Sequence, residues 1–300
     1  MGIRLPCAIA IVAMMSGVAD SIASADGFDE NLDRFDSGKL LATAGVNELE
    51  GAGGGGLVPW ALITGYGTSQ AIGADVHFTH IALPDYTIDS GGAAVGLFDR
   101  LELSYARLAF DTGSTGGRLG LGNGFTFGEN IFGAKLRLMG DAIYDQDRLL
   151  PQVAVGALYK TNDQGAVLRA IGARDADGVD FYVTATKLFL VQSLLVTGAL
   201  RETRANQLGI LGFGGDRDNG YSTEFEGSAA ILLTRAFAVG AEFRTKPNNL
   251  EFAGENNVGD VFAAYFINKH LSATLAFVAL GDIATRKNQN GAYLSLQSGF

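Results

Sequence analysis

The chain alternates. Over stretches of about ten residues, apolar side chains take every second position and small or charged ones the positions between, a period that suits strands and not helices. At 151–160, Val153, Val155, Ala157 and Tyr159 share one face, and Gln152, Ala154, Gly156 and Lys160 the other. At 131–141, Phe132, Ala134, Leu136 and Leu138 oppose Lys135 and Arg137. At 221–233, Phe225, Gly227, Ala229, Ile231 and Leu233 oppose Glu224, Glu226 and Ser228. The same holds for Phe237–Phe243 against Glu242 and Arg244, and for Leu271–Phe277 against Ser272 and Thr274. A soluble sheet would alternate too. Here the second face mixes small and charged residues, as a watery lumen would.

The surroundings of these strands are apolar. Charged residues make up only 18% and hydrophobic ones 47%, with 42 glycines in 300 residues. Disorder and collagen are excluded by 19 Phe, 9 Tyr and only 5 Pro. Nucleic acid is a poor partner for 22 basic against 32 acidic residues. Residues 1–25 read as a secretory signal peptide, with Arg4 in the n-region, an apolar run from Ala8 to Met15, and Ala23-Ser24-Ala25 as the cleavage site. Cys7, the single cysteine, leaves with it. No other stretch reaches the ~18 apolar residues a spanning helix needs. An exported, apolar, glycine-rich chain of alternating strands then has one economical fold. In lipid every backbone polar group must be paired, so strands cross only as a closed barrel.

Short connections at 68–70, 99–100, 144–150, 190–192, 235–236 and 268–269 alternate with longer ones at 48–59, 81–87, 111–130, 161–178, 204–220, 247–257 and 281–289. Outer-membrane barrels have short periplasmic turns and longer external loops. The expectation is an all-β, closed antiparallel transmembrane β-barrel over 38–300, with fourteen strands and twelve or sixteen as alternatives. Trp60, Tyr66, Tyr105 and Phe132 are its aromatic girdle candidates. Ala292, Leu294, Leu296 and Phe300 share a face of the last strand. A terminal aromatic there resembles the signal read by the barrel assembly machinery, so that machinery and outer-membrane lipids are the expected partners. Residues 26–37 carry Asp26, Asp29, Glu30, Asp33 and Asp36, with Phe28, Leu32 and Phe35 at helical spacing. They read as an acidic tail, or else as a short helix or plug.

Several segments carry a likeness to a known family: Gly38-Lys39-Leu40-Leu41, Glu50-Gly51-Ala52 through Gly56, Pro59-Trp60-Ala61-Leu62, Leu101 to Arg107, and Gly140 to Asp147. Over most of 38–300 the chain resembles an uncharacterised bacterial outer-membrane family, domain-of-unknown-function family 3034. The resemblance implies an exported barrel of a Gram-negative bacterium. It implies no substrate, cofactor or catalytic residue.

Catalytic chemistry has thin support. Beyond the leader the histidines are His77, His80 and His270. His77 shares a strand face with Asp75 and Thr79, the best arrangement for a base beside a nucleophile; the plainer reading is a polar ladder. No Gly-x-Ser-x-Gly elbow and no close His pair for zinc occurs. Asp145-Gln146-Asp147 and Asp216-Arg217-Asp218-Asn219 offer oxygens to calcium but lack EF-hand spacing, and such residues also suit turns. Gly53–Gly56 and Gly120-Leu121-Gly122-Asn123-Gly124 do not sit between a strand and a helix as a dinucleotide site requires. The expectation is no cofactor, no metal and no enzyme.

Function then falls to the inward face. The pore-lining candidates are Asp75, His77, Glu102, Lys135, Arg137, Arg201, Glu224, Glu226, Glu242 and Arg244. Ionisable groups are costly against lipid, and charged walls select permeating solutes. The first reading is an outer-membrane, porin-like channel for small solutes. The alternatives are a lumen-closed structural or adhesion barrel acting through external loops, and a lipid-modifying barrel enzyme using His77. Loops 111–130 and 204–220 are candidates to fold inward and narrow the lumen.

Overall fold

In strand β3 (Ile72–Ala82) every second side chain, from Gly73 to Ile81, is buried and those between are not. Such a strand has one face in contact with protein and one outside. Eleven more follow the same logic: β4 (Thr87–Leu97), β5 (Leu101–Asp111), β6 (Thr126–Met139), β7 (Gln152–Asn162), β8 (Asp177–Phe189), β9 (Leu194–Thr203), β10 (Ser222–Thr234), β11 (Phe237–Arg244), β12 (Val258–Phe266), β13 (Leu271–Ala279) and β14 (Asn290–Gly299). Each pairs antiparallel with its sequence neighbours, and β14 returns to β3 in the register Ser295↔Thr79. The result is a closed barrel with no free edge. The computed structural model describes residues 38–39, 41–42, 46–147 and 149–300. The leader at 1–25 and the acidic segment at 26–37 lie outside the described residues.

The outward face is the apolar one. Leu103, Phe132, Leu200, Phe225, Val261, Leu275 and Phe277 are exposed along it. A band of this kind costs nothing when it faces hydrocarbon and is unfavourable in water. Tyr105 and Phe132 belong to this face, with ring centroids 5.2 Å apart. Among the described residues no helix is long and apolar enough to cross a membrane.

The wall has twelve strands, not the fourteen expected from sequence. The difference lies in residues 46–67, which are buried without exception. This segment does not join the wall. It enters the barrel, forms a two-residue hairpin of β1 (Val46–Asn47) and β2 (Gly53–Gly54), and fills the lumen. Trp60 and Tyr66 are therefore interior residues, 6% and 5% exposed, and not part of a girdle. The connection at 68–70 leads from this segment into the wall, and the glycine-rich stretch at 48–59 is lumen filling and not an external loop.

The other connections fall at the two ends in the expected order, but two depart in length: 140–151, expected short, has twelve residues, and 83–86, expected long, has four. One end of the barrel has 98–100, 140–151, 190–193, 235–236 and 267–270; the other has 83–86, 112–125, 163–176, 204–221, 245–257 and 280–289. We call these the turn end and the loop end. At the loop end, residues 205–215 are buried and turn inward. Helices α1 (Gly113–Arg118) and α2 (Gly165–Ala170) sit among these loops. One apolar cluster runs from the loops through Phe110, Phe127 and Leu211 to Leu49, Leu57 and Val58 of the inner segment.

Candidate lumen site

The interior is built where the polar wall meets the inner segment. Glu102 on β5 and Lys135 on β6 are cross-strand partners and form an ion pair at 3.0 Å. Both are 1% exposed, so each needs further partners to offset desolvation. The inner segment supplies them. Gly53 N donates to Glu102 Oε1 and Thr64 N to Oε2, both at 2.9 Å. Lys135 Nζ donates to the carbonyls of Gly53 at 2.7 Å and Trp60 at 3.1 Å. Glycine is required at position 54 because backbone approaches backbone: a β-carbon there would collide with the Val58 carbonyl.

Glu50 is the centre of a second cluster. Its carboxylate meets Lys160 from β7, Arg244 from β11 at 2.6 Å, and Arg201 from β9 at 3.5 Å. Asp180 on β8 accepts from Lys160 at 2.6 Å, and Glu226 on β10 accepts from Arg201 Nε at 2.5 Å. Arg244 Nε lies 3.1 Å from Glu226. Three cations are thus interleaved with three carboxylates, and the central carboxylate comes from the inner segment.

A third group ties the segment's ends. Asp75 accepts from Asn47 Nδ2 and, at 3.0 Å, from Thr64 Oγ1. Asn47 Nδ2 also reaches His77 Nδ1 at 3.2 Å, while His77 Nε2 is buried without a hydrogen-bond partner. Leu57 N donates to Glu242 Oε2 at 2.6 Å, and the hydroxyls of Ser90 and Thr184 donate to the carbonyls of Leu49 and Pro59.

Of the ten residues picked from sequence, Asp75, His77, Glu102, Lys135, Arg201, Glu226, Glu242 and Arg244 are buried against the lumen contents. Arg137 sits at the turn-end rim, paired with Asp99, with Asp141 at 3.1 Å and with the Gly140 carbonyl. Glu224 is half-buried near the loop end, opposite Arg201 on β9. Glu50 and Asp180 were missed. The alternation of Asp180, Tyr182 and Thr184 could have placed Asp180 on the inner face; nothing local marks Glu50.

His77 and Asp75 do not bond each other, and Thr79 Oγ1 donates to Ser295 Oγ at 2.9 Å. His80 points outward and pairs with Asp89 at 2.6 Å; His270 Nδ1 lies 2.8 Å from the Gly299 carbonyl at the turn end. Among the described residues no three His, Cys, Asp or Glu side chains stand together as metal ligands.

Solved structures similar to this chain include a KdgM porin, 10% identical over 75% of this chain and 99% of that one, with a TM-score of 0.49. A NanC porin is 10% identical over 76% and 98%, with a TM-score of 0.47. Outer membrane phospholipase A from Escherichia coli is 10% identical over 87% and 98%, with a TM-score of 0.42. No curated protein matches the chain. The family model described as "Protein of unknown function (DUF3034)" matches residues 43–297, which takes in the inner segment together with nearly the whole wall, and the chain belongs to that family.

Proposed function

We propose that the protein is a gated channel of the bacterial outer membrane, closed at rest by residues 46–66. One observation carries this reading: the inner segment is held by side chains and is not woven into the wall. Among the described residues its one backbone–backbone bond to the strand region's end is Tyr66 N to the Phe300 carbonyl, at 2.8 Å. All twelve wall strands are fully paired without it. Its withdrawal would therefore leave the ladder intact and expose a lumen lined by Asp75, His77, Glu102, Lys135, Arg201, Glu226, Glu242 and Arg244, with Arg137 and Glu224 at the two mouths. A polar lining of this kind suits water and small hydrophilic solutes. The outward apolar band supports placement in a lipid bilayer, with the loop end external.

The test is single-channel recording in a planar bilayer with residues 26–300 and with a variant lacking 46–64. The expected result is rare openings for the first and steady, salt-dependent steps for the second. A Thr64→Cys/Asp75→Cys pair, at side chains that meet at 3.0 Å, should be silent when oxidised and recover on reduction. A deletion variant that is β-rich and heat-modifiable yet silent would overturn the channel reading and leave a closed barrel acting through its loops.

A further inference from the structure

At the loop end lies a cavity of about 380 Å³ that the lumen site does not use. Its floor is aromatic: Tyr86, Phe110 and Phe127, with Tyr86 and Phe110 ring centroids 4.8 Å apart. Its sides are α1 and α2, which contribute Thr115 and the small residues Ala166 and Ala170. Leu119, which is 40% exposed, and Leu121 form the rim. They stand on the glycine run singled out in the sequence. Gly120, Gly122 and Gly124 have φ of +78°, +100° and +71°, and a β-carbon on Gly120 or Gly122 would meet nothing within 4 Å. The rim thus faces open space at Gly120 and Gly122.

The cavity's polar atoms are already engaged. Tyr86 Oη donates to the Ile283 carbonyl at 3.2 Å, and Thr112 Oγ1 to the Phe125 carbonyl at 2.6 Å. Thr115 Oγ1 accepts from Arg286 Nε at 3.1 Å. Burial pushes the Tyr86 phenol up to about 12, helped by Asp85, so it stays neutral at physiological pH. A sugar or an ion would lose its hydration here with little in return, whereas an apolar ring or short acyl chain would lose nothing. At the packing density of protein interiors the space suits about 17–20 non-hydrogen atoms.

We infer that this cavity is a binding site for a small, uncharged, predominantly apolar molecule, a fused aromatic ring system or a medium-length acyl chain, entering past Leu119 and Leu121. It does not depend on the channel reading. It does touch it: Tyr86, Phe110, Phe127 and Leu211 share one apolar cluster with Leu49, Leu57 and Val58 of the inner segment. An occupant would rest on the same packed column that holds the lumen filling.

The test uses 1-fluoronaphthalene as probe, followed by fluorine NMR on the full mature chain in lipid nanodiscs, with empty nanodiscs as reference. Saturable binding of one equivalent per chain is expected, weakened at least tenfold by Ala166→Trp or Ala170→Trp. Both positions line the cavity yet are exposed on α2, so the added ring can fill the space without entering the core. Val191→Ala, in the exposed turn at the opposite end of the barrel, should leave the affinity unchanged. Signals that match empty nanodiscs, or equal binding by the Trp variants, would overturn the assignment. The readout needs no permeation, so a silent channel with intact binding would separate the two proposals.

Discussion

The Arg244 guanidinium meets the Glu50 carboxylate at 2.6 Å, between residues 194 positions apart, and this contact joins the lumen filling to the wall. Glu50 also faces Lys160 and Arg201, so three wall cations converge on one carboxylate of the inner segment. Buried ion pairs of this sort rarely add net stability over apolar packing, but removing one partner leaves the others uncompensated. The arrangement specifies position: only one placement of the segment puts a carboxylate among those cations.

Glu50→Gln tests that claim. Asp180 and Glu226 would still face the cations, so the wall should remain closed and folded. The loss should be about 3 kcal/mol in urea unfolding, together with more frequent openings in a bilayer. Unchanged stability and unchanged conductance would mean that the cluster does not hold the segment.

Gly54 gives a steric version of the same test. Its missing β-carbon leaves room for the Val58 carbonyl, and Gly54 also bridges to Pro59, just beyond the hairpin. Gly54→Ala forces backbone apart in a filled lumen, at a cost of about 1–3 kcal/mol. Because the wall ladder is separate, the strain should appear as protease access to residues 46–66 while heat-modifiable mobility persists. Global loss of the barrel instead would show that wall and filling are one cooperative unit.

The wall was legible because a strand between lipid and lumen must alternate, and Val153 to Lys160 or Phe237 to Arg244 do so without help from the rest of the chain. Residues 46–67 were misread for the same reason. Trp60, Leu62 and Tyr66 follow a glycine-rich stretch as a strand follows a loop, and a chain buried on all sides carries no local sign that its two faces see protein instead of lipid and water. This added two strands to the count. The inward charges on the strands were readable one by one from their parity. Their convergence was not, since Glu50, Lys160, Arg201 and Arg244 come from four distant stretches and only closure of the barrel brings them together.

The loop end should respond to pH through Glu255. Burial is the main cause that raises its carboxyl to about 7, with Glu224 adding to it, while Lys246 at 3.4 Å and the Gln207 amide at 2.8 Å pull the other way. A carboxyl raised above its unfolded value binds more protons in the folded state. Its contribution is therefore complete below about 4.5 and is lost as pH rises through about 7. Limited proteolysis of loop 245–257 should show more protection at pH 5 than at pH 8, and Glu255→Gln should flatten that difference. Protection that rises with pH, or a dependence that survives the substitution, would refute the assignment.

The outward face makes the last prediction. Leu275 lies at the middle of β13, is 62% exposed, and pairs across with Ala263 and Leu294. On a soluble barrel an arginine there would be nearly neutral. In a bilayer it would sit at hydrocarbon depth, where a lipid-facing cation costs about 2–4 kcal/mol. Val191, 93% exposed in the short turn after β8, lies at the rim, where the same substitution should cost about 0–1 kcal/mol. Measuring Leu275→Arg and Val191→Arg by reversible unfolding in lipid vesicles gives the contrast directly. Equal and small effects at both positions would mean that this apolar band does not face lipid, and the membrane-spanning reading of the wall would fall with it.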